Sequence, residues 1–409
     1  MRRTELLQEV RKMRFEEAYG GWQEGRLTQE EAARMLGVCE KTFRRQVDRY
    51  EEFGFDGLLD KRLSHPSHRR APVDEVFELL ERYKQRHRGW NAKHFYGWYL
   101  KDGGARSYTW VKCRLQDAGL ITKAPGRGKH RKRRERAAWP GMMLHQDGSK
   151  HEWVPSMQWD LILTMDDATN EHYSLFFVEE EGTLSSFQGV KEVIENRGLF
   201  SSSYTDRGSH YWTTPEAGGK VDKVNLTQFG RAMKNLGVHM IPAYSPEARG
   251  RCERMFRTHQ ERLPKELALA GIKDMEGANR YLSDHYLRAF NEEFMQPAME
   301  EGSAFVAFIG HDLDDILCEQ HERVVGKDNC VSFERLKLQI PPDQYRMHYV
   351  KVTVKVHRNP EGKLSIFHGP RRLACYGPEG ELKEIETKER PRASGREGHT
   401  SHAQTIGSK

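Results

Sequence analysis

Between Lys123 and Arg136 this chain carries eight lysines or arginines against a single acid, Glu135. A run with so few apolar side chains cannot pack, and Pro125, Gly126 and Gly128 oppose a stable helix, so no hydrophobic core can continue through it. The chain must therefore fold in separate pieces, and 409 residues suffice for roughly two to four domains. The run holds a local charge of +7 in a chain whose net charge is +6, which leaves the remainder close to neutral. A flexible cationic linker over 123–139 that neutralises DNA phosphates is the expectation, with Arg131, Lys132, Arg133 and Arg134 as its densest part.

Ahead of that linker, the sequence predicts two DNA-binding units, over 1–60 and 61–122. In the first, Thr28 with Glu31 three residues on forms a capping box, and Ala32, Ala33 and Leu36 follow on one helical face until Gly37. A second helix from Cys39 places Phe43, Val47 and Tyr50 inward and Lys41, Thr42, Arg44, Arg45 and Arg49 outward, the pattern of a helix-turn-helix recognition helix. The second unit ends in a helix introduced by Ser107, on which Lys112 is the DNA-facing candidate. Trp90, Phe95, Trp98 and Trp110 could stack on bases, but aromatics at such spacing favour a core.

Beyond the linker, 142–147 and 159–164 read as a hairpin, 173–178 as a third strand and 183–196 as a helix. A strand at 200–204, a helix at 226–236 and a strand at 239–243 follow. Two carboxylates stand at strand ends beside glycines: Asp147 in His145-Gln-Asp-Gly-Ser and Asp206 in Thr205-Asp-Arg-Gly-Ser. Glu253 opens a helical pattern just after Gly250. Three hard oxygen donors without Cys or His partners suit a divalent cation that leaves positions for phosphate oxygens. Asp166 and Asp167 fit a polar turn at the other end of the sheet, and Glu247 lies in a loop after Pro246. Arg257 and Gln260, one and two turns past Glu253 on nearly its face, are the candidates for gripping phosphates, with Arg207 and His210 weaker.

These segments, within 140–299, resemble the catalytic core of bacterial insertion-sequence transposases of the retroviral-integrase superfamily, the DDE transposases, and the layout of the whole chain is most similar to the ISNCY type. In that pattern the glutamate follows Tyr-x-Pro-x-x-x-Gly-x-x, here Tyr244-Ser-Pro-Glu-Ala-Arg-Gly-Arg-Cys, which assigns the role to Glu253. The 46 residues between Asp206 and Glu253 exceed the usual spacing, and 213–224 reads as the loop that absorbs the excess. The resemblance implies a ribonuclease H-like α/β core with a mixed five-stranded sheet, and Asp147, Asp206 and Glu253 as catalytic ligands of two Mg²⁺ ions, for which Mn²⁺ can substitute. It further implies double-stranded DNA as partner, both the element's terminal inverted repeats and the target, and a dimer or larger homo-oligomer in the synaptic complex. His259-Gln-Glu-Arg matches the His-x-x-Arg of tyrosine recombinases, but no partnering motif accompanies it. A DNA-binding regulator with an inactive nuclease core would have lost one of the three acids, and none is lost.

The remaining segments complete a multidomain α+β expectation: an amphipathic helix over 274–293, a helical connector over 300–327, a small β-barrel over 328–378 and a disordered tail over 379–409. Six scattered cysteines without a Cys-x-x-Cys pair argue against a zinc or disulfide framework. No apolar run is long enough to span a bilayer, and Met1-Arg-Arg-Thr-Glu lacks the apolar stretch of a signal peptide. The expected location is thus the bacterial cytoplasm, on the nucleoid when DNA is bound.

Overall fold

Capping chemistry sets the first helices of the computed structural model, which describes residues 3–59, 71–123, 134–216, 219–244, 250–310 and 312–383. Arg131, Lys132 and Arg133, Glu247, and the tail beyond 383 lie outside the described residues. Two compact units divide the chain, Met1–Arg82 and Tyr83–Lys409.

The first unit contains α1 (Arg3–Gln23), α2 (Gln29–Leu36) and α3 (Glu40–Phe53). The Thr28 hydroxyl accepts from the Glu31 amide while the Glu31 carboxylate accepts the Thr28 N–H at 2.8 Å, and Gly37 ends α2 in the left-handed conformation. Phe43 and Val47 turn inward, and Lys41, Thr42, Arg44, Arg45 and Arg49 are exposed, as the spacing predicts. Helix α1 was not legible from the motif, yet it completes the core. Phe15, Tyr19 and Trp22, at i, i+4 and i+7, meet α3 through Phe15 to Tyr50 and Trp22 to Phe43 ring contacts of 5.3 and 6.0 Å.

The second unit begins in the last turn of α4 (Val73–Arg86), followed by α5 (Ala92–Lys101) and α6 (Tyr108–Asp117), capped by Asn91 and Ser107. Tyr83, Trp90 and Phe95 are buried together, so two of the four stacking candidates belong to the core.

The main sheet comprises β1 (Leu144–Val154), β2 (Met157–Asp166), β3 (His172–Val178), β4 (Ser202–Thr205) and β5 (His239–Pro242), in the order β3-β2-β1-β4-β5. The first three are antiparallel, whereas β4 and β5 run parallel to β1. The expected mixed five-stranded sheet is thus present. Strand β1 continues seven residues past Asp147, and its polar stretch Ser149 to Glu152 pairs with β2 alone because β4 is short. Helices α7 (Thr183–Arg197) and α8 (Gln228–Leu236) cover one face, with Phe187, Val190, Val193 and Phe229 buried there. The opposite face packs against α9 (Gly250–Leu269), where Leu161, Leu163 and Met165 of β2 meet Cys252, Met255 and Phe256.

The single helix expected over 274–293 is three consecutive pieces: α10 (Met275–Tyr281), a π-helical turn (Leu282–Tyr286) and α11 (Leu287–Phe294). Asn279 and Asn291 explain its placement. Each side-chain amide bonds both backbone groups of one residue on β3, Asn279 at Phe177 (2.7 and 3.0 Å) and Asn291 at His172 (2.8 and 2.9 Å). Twelve helical residues at about 1.5 Å match five strand residues at about 3.4 Å, so the helices satisfy an otherwise open sheet edge.

Where a helical connector was expected, a 3-10 turn (Leu313–Asp315) precedes strand β6 (Glu319–Val324). The first part of the expected barrel is a hairpin, β7 (Cys330–Phe333) and β8 (Leu336–Gln339), because Glu334 and Arg335 both adopt positive φ and reverse the chain. With β9 (Thr353–Arg358), β10 (Leu364–His368), β11 (Arg371–Tyr376) and β12 (Leu382–Lys383), β6 forms a sheet ordered β12-β11-β10-β9-β6. This corrects the expected barrel. The sheet is open, since β12 and β6 are its two edges, and the separate hairpin contributes Val331, Phe333 and Leu338 to the core instead of closing it.

Candidate active site

Register decides which side chains share a face. Asp147 pairs with Leu163, and His145 with Met165, so both project from the sheet toward α9. His145 is also the parallel partner of Tyr204. Asp147 follows His145 by two residues within β1, and Asp206 follows Tyr204 by two, directly after β4 ends at Thr205. Asp147 is buried and Asp206 half-buried, and the Asp206 carboxylate accepts the Gly208 amide at 2.8 Å.

Glu253 is exposed on the first turn of α9. Two turns on, Gln260 donates to the Ser149 hydroxyl at 3.0 Å, and Ser149 shares the face of Asp147. The Glu253 stripe therefore borders the strand that carries Asp147. Among the described residues, no three His, Cys, Asp or Glu side chains gather closely enough to hold a metal ion. The three acids fit a hard cation by donor type.

The expected phosphate contacts divide. Arg257 is exposed. Gln260 already uses its amide on Ser149. Arg134 ion-pairs with Asp167 at 2.5 Å and lies over the Tyr204 ring, and Lys112 is half-buried on α6. Within His259-Gln-Glu-Arg, His259 is fully buried and Arg262 forms a two-pronged pair with Glu293 at 2.7 and 3.0 Å, which leaves neither to touch a phosphate.

Three groups escaped the sequence reading. The Glu181 carboxylate occupies the far side of β1, where a Cβ on Gly148 would stand 2.3 Å from Oε2, and His210 lies 3.4 Å from it. Its signal was hidden in the acid run 179–181. Tyr211 is fully buried, and burial followed by the charges of Glu181, Asp147 and Asp206 pushes its phenol well above the usual range. Asp167 lies in the turn between β2 and β3, as the sequence predicts, but its full burial escaped that reading. Burial alone would raise its carboxyl, but His145, the Ala137 amide and Arg251 outweigh that and hold it well below the usual range.

A family model described as a winged helix-turn-helix matches residues 21–76. Over 355 residues the chain is 30% identical to y4bF of Sinorhizobium fredii, described as a transposase, covering 84% of this chain and 76% of that protein. The transposase for insertion sequence IS1202 of Streptococcus pneumoniae is 29% identical over 217 residues, 53% of this chain and 46% of that protein. Among solved structures, the HTLV-2 integrase catalytic core domain in complex with magnesium is similar at 13% identity and a TM-score of 0.29, covering 36% of this chain and 87% of that one. A simian T-cell lymphotropic virus intasome chain is similar at 14% identity and a TM-score of 0.32, covering 71% and 95%. The chain belongs to the transposase family.

Proposed function

We propose that this transposase binds the terminal inverted repeats of its own element through α3 and then cleaves and rejoins DNA strands at Asp147, Asp206 and Glu253. The observation that carries the reading is the parallel pairing of β1 with β4. His145 and Tyr204 lie level there, each two residues before an aspartate, and α9 lies over the Asp147 face with Gln260 on Ser149. The three carboxylates are all-oxygen donors of the type that holds two Mg²⁺, or Mn²⁺ in their place. Bound there, the metal pair would supply Lewis-acid activation of the attacking and leaving oxygens of a phosphodiester.

The rest falls to the chain itself. The sheet fixes the two aspartates, and helix packing limits the reach of Glu253. Arg257 offers a cation beside the acids, offsetting charge that would otherwise repel DNA. Lys41, Thr42, Arg44, Arg45 and Arg49 face the major groove from α3. Lys112 and the linker residues Arg131, Lys132 and Arg133 anchor phosphates, while Arg134 is held by Asp167. The functional division follows 1–60 and 61–122 for end binding, 123–139 as linker, 140–299 for chemistry and 328–378 for contacts with DNA or a second subunit. Cutting both element ends together requires a dimer or larger assembly.

The test is cleavage of DNA carrying the element's own ends, with Mg²⁺ and read at nucleotide resolution. Asp147→Asn, Asp206→Asn and Glu253→Gln are each expected to abolish nicking and strand transfer while binding end DNA as the wild type does. Robust cleavage by any of them removes that residue from the site. An inactive Glu247→Gln beside an active Glu253→Gln would transfer the role to Glu247.

A further inference from the structure

One buried carboxylate reaches all three acid-bearing segments. The His145 Nε2–H donates to Asp167 Oδ1 at 2.6 Å, and Arg251 ion-pairs with the same oxygen. Arg134 binds that oxygen too, and its guanidinium lies 5.7 Å from the centre of the Tyr204 ring, which in turn meets the His145 ring at 5.1 Å. The Ala137 amide donates to Oδ2 at 2.8 Å. Arg251 also donates to the carbonyls of Arg134 and Glu135 at 2.6 and 3.1 Å, while Arg136 donates to the Asp167 carbonyl at 2.8 Å.

The spacing gives this hub its meaning. His145, Tyr204 and Arg251 each stand two positions before one acid: Asp147, Asp206 and Glu253. In a strand, residues two apart share a face, so fixing His145 fixes the direction of Asp147, and holding Tyr204 holds the end of β4 from which Asp206 follows. In a helix, two residues apart lie about 200° around the axis. Arg251 drawn inward therefore sets the rotation that turns Glu253 outward. A carboxylate serving only as a turn cap would need none of these partners, and the adjacent Asp166 already caps the turn through the Ala168 and Thr169 amides.

We infer that Asp167 is a positioning residue for the catalytic acids, holding β1, β4 and the first turn of α9 in one arrangement through His145, Arg134 and Arg251. The inference rests on the proposed roles of Asp147, Asp206 and Glu253, but its structural core does not depend on catalysis.

Hydrogen exchange on the full chain tests it. Asp167→Asn is expected to accelerate exchange of the amides at 254–257 at least tenfold while those at 265–268 change little. Arg251→Gln, at the rim of the hub and safer for folding, is expected to do the same, and the double variant no more than either single one. Unchanged exchange at 254–257, uniform acceleration along α9, or additive effects in the double variant would each overturn the inference. A second arm measures Mg²⁺-dependent cleavage of end DNA. Both variants are expected to lose at least tenfold in rate with end affinity preserved and to need more Mg²⁺ for half-maximal rate, a shift that mere loss of folded protein does not produce. Equal Mg²⁺ dependence overturns the catalytic part of the inference. A wild type that fails to cleave under any divalent cation overturns the proposed function instead, and hydrogen exchange still decides the hub.

Discussion

His259 of α9 and His172 of β3 meet Nε2 to Nε2 at 3.0 Å inside the core. The surrounding bonds assign their protons. His172 Nδ1–H donates to the Asn170 carbonyl, so its Nε2 accepts from His259 Nε2–H, and His259 Nδ1 accepts from the Tyr286 hydroxyl. Both rings are neutral, and neither can take a proton without breaking a bond.

Acid should therefore loosen α9 from the sheet. Burial lowers His172 to about 4, and burial, followed by His172 and Arg262, holds His259 well below its usual value. A depressed folded-state value means that the unfolded chain binds the proton first, so the stabilisation is complete above about pH 6.5 and is lost as pH falls toward 4. For His172 alone this is about 3 kcal/mol. Urea unfolding at pH 7, 6 and 5 is expected to show a falling midpoint, flattened in His259→Phe. A midpoint independent of pH would refute the neutral pair.

A side chain at Gly148 would push Glu181 aside, since its Oε2 lies 2.3 Å from the Cβ position. Gly148→Ala should displace the Glu181 carboxylate, the end of a flexible side chain, and so cost no more than about 1 kcal/mol. Glu181→Ala in the same chain should restore most of the melting temperature. Failure of that rescue would place the strain elsewhere.

The exposed arginines of α3 should read bases. Arg44→Ala with Arg45→Ala is expected to remove most of the preference for element ends over random DNA, leaving nonspecific affinity reduced but measurable. Footprints retained at the same base pairs would move the reader to another element, α6 around Trp110 first.

Salt dependence should distinguish the linker arginines. Replacing Arg131, Lys132 and Arg133 with Gln is expected to reduce the slope of log affinity against log salt by roughly 2 to 3 units, about 0.9 per phosphate contact. Arg134 is bound to Asp167, so adding Arg134→Gln should leave the slope unchanged. A further drop near 0.9 would show that DNA draws Arg134 off the hub. No change in the triple variant would reduce the segment to a solvated connector.

Short-range chemistry was legible in the chain itself. The Thr28 and Glu31 capping box, the inward and outward sides of α3, and the strand-then-helix order around Asp147 and Asp206 all follow from nearest-neighbour spacing. What spacing missed depends on partners far along the chain: the hairpin at Glu334 and Arg335, two residues without the usual turn chemistry, and the break between α10 and α11, placed by Asn279 and Asn291 against β3.

The sequence by itself determined where the three acids stand and which residue types surround them, because strand and helix periods and cap preferences act over a few residues. Only the tertiary structure decided that His145 and Tyr204 lie level on β1 and β4, that Glu253 is exposed on the first turn of α9, and that Asp167, in the turn the sequence predicts, is buried and held by His145, Arg134 and Arg251. Those outcomes depend on parallel pairing of β1 with β4 and on desolvation of a carboxylate by segments 30 and 84 residues away. A local pattern cannot encode either, since burial is a property of everything that packs around a group.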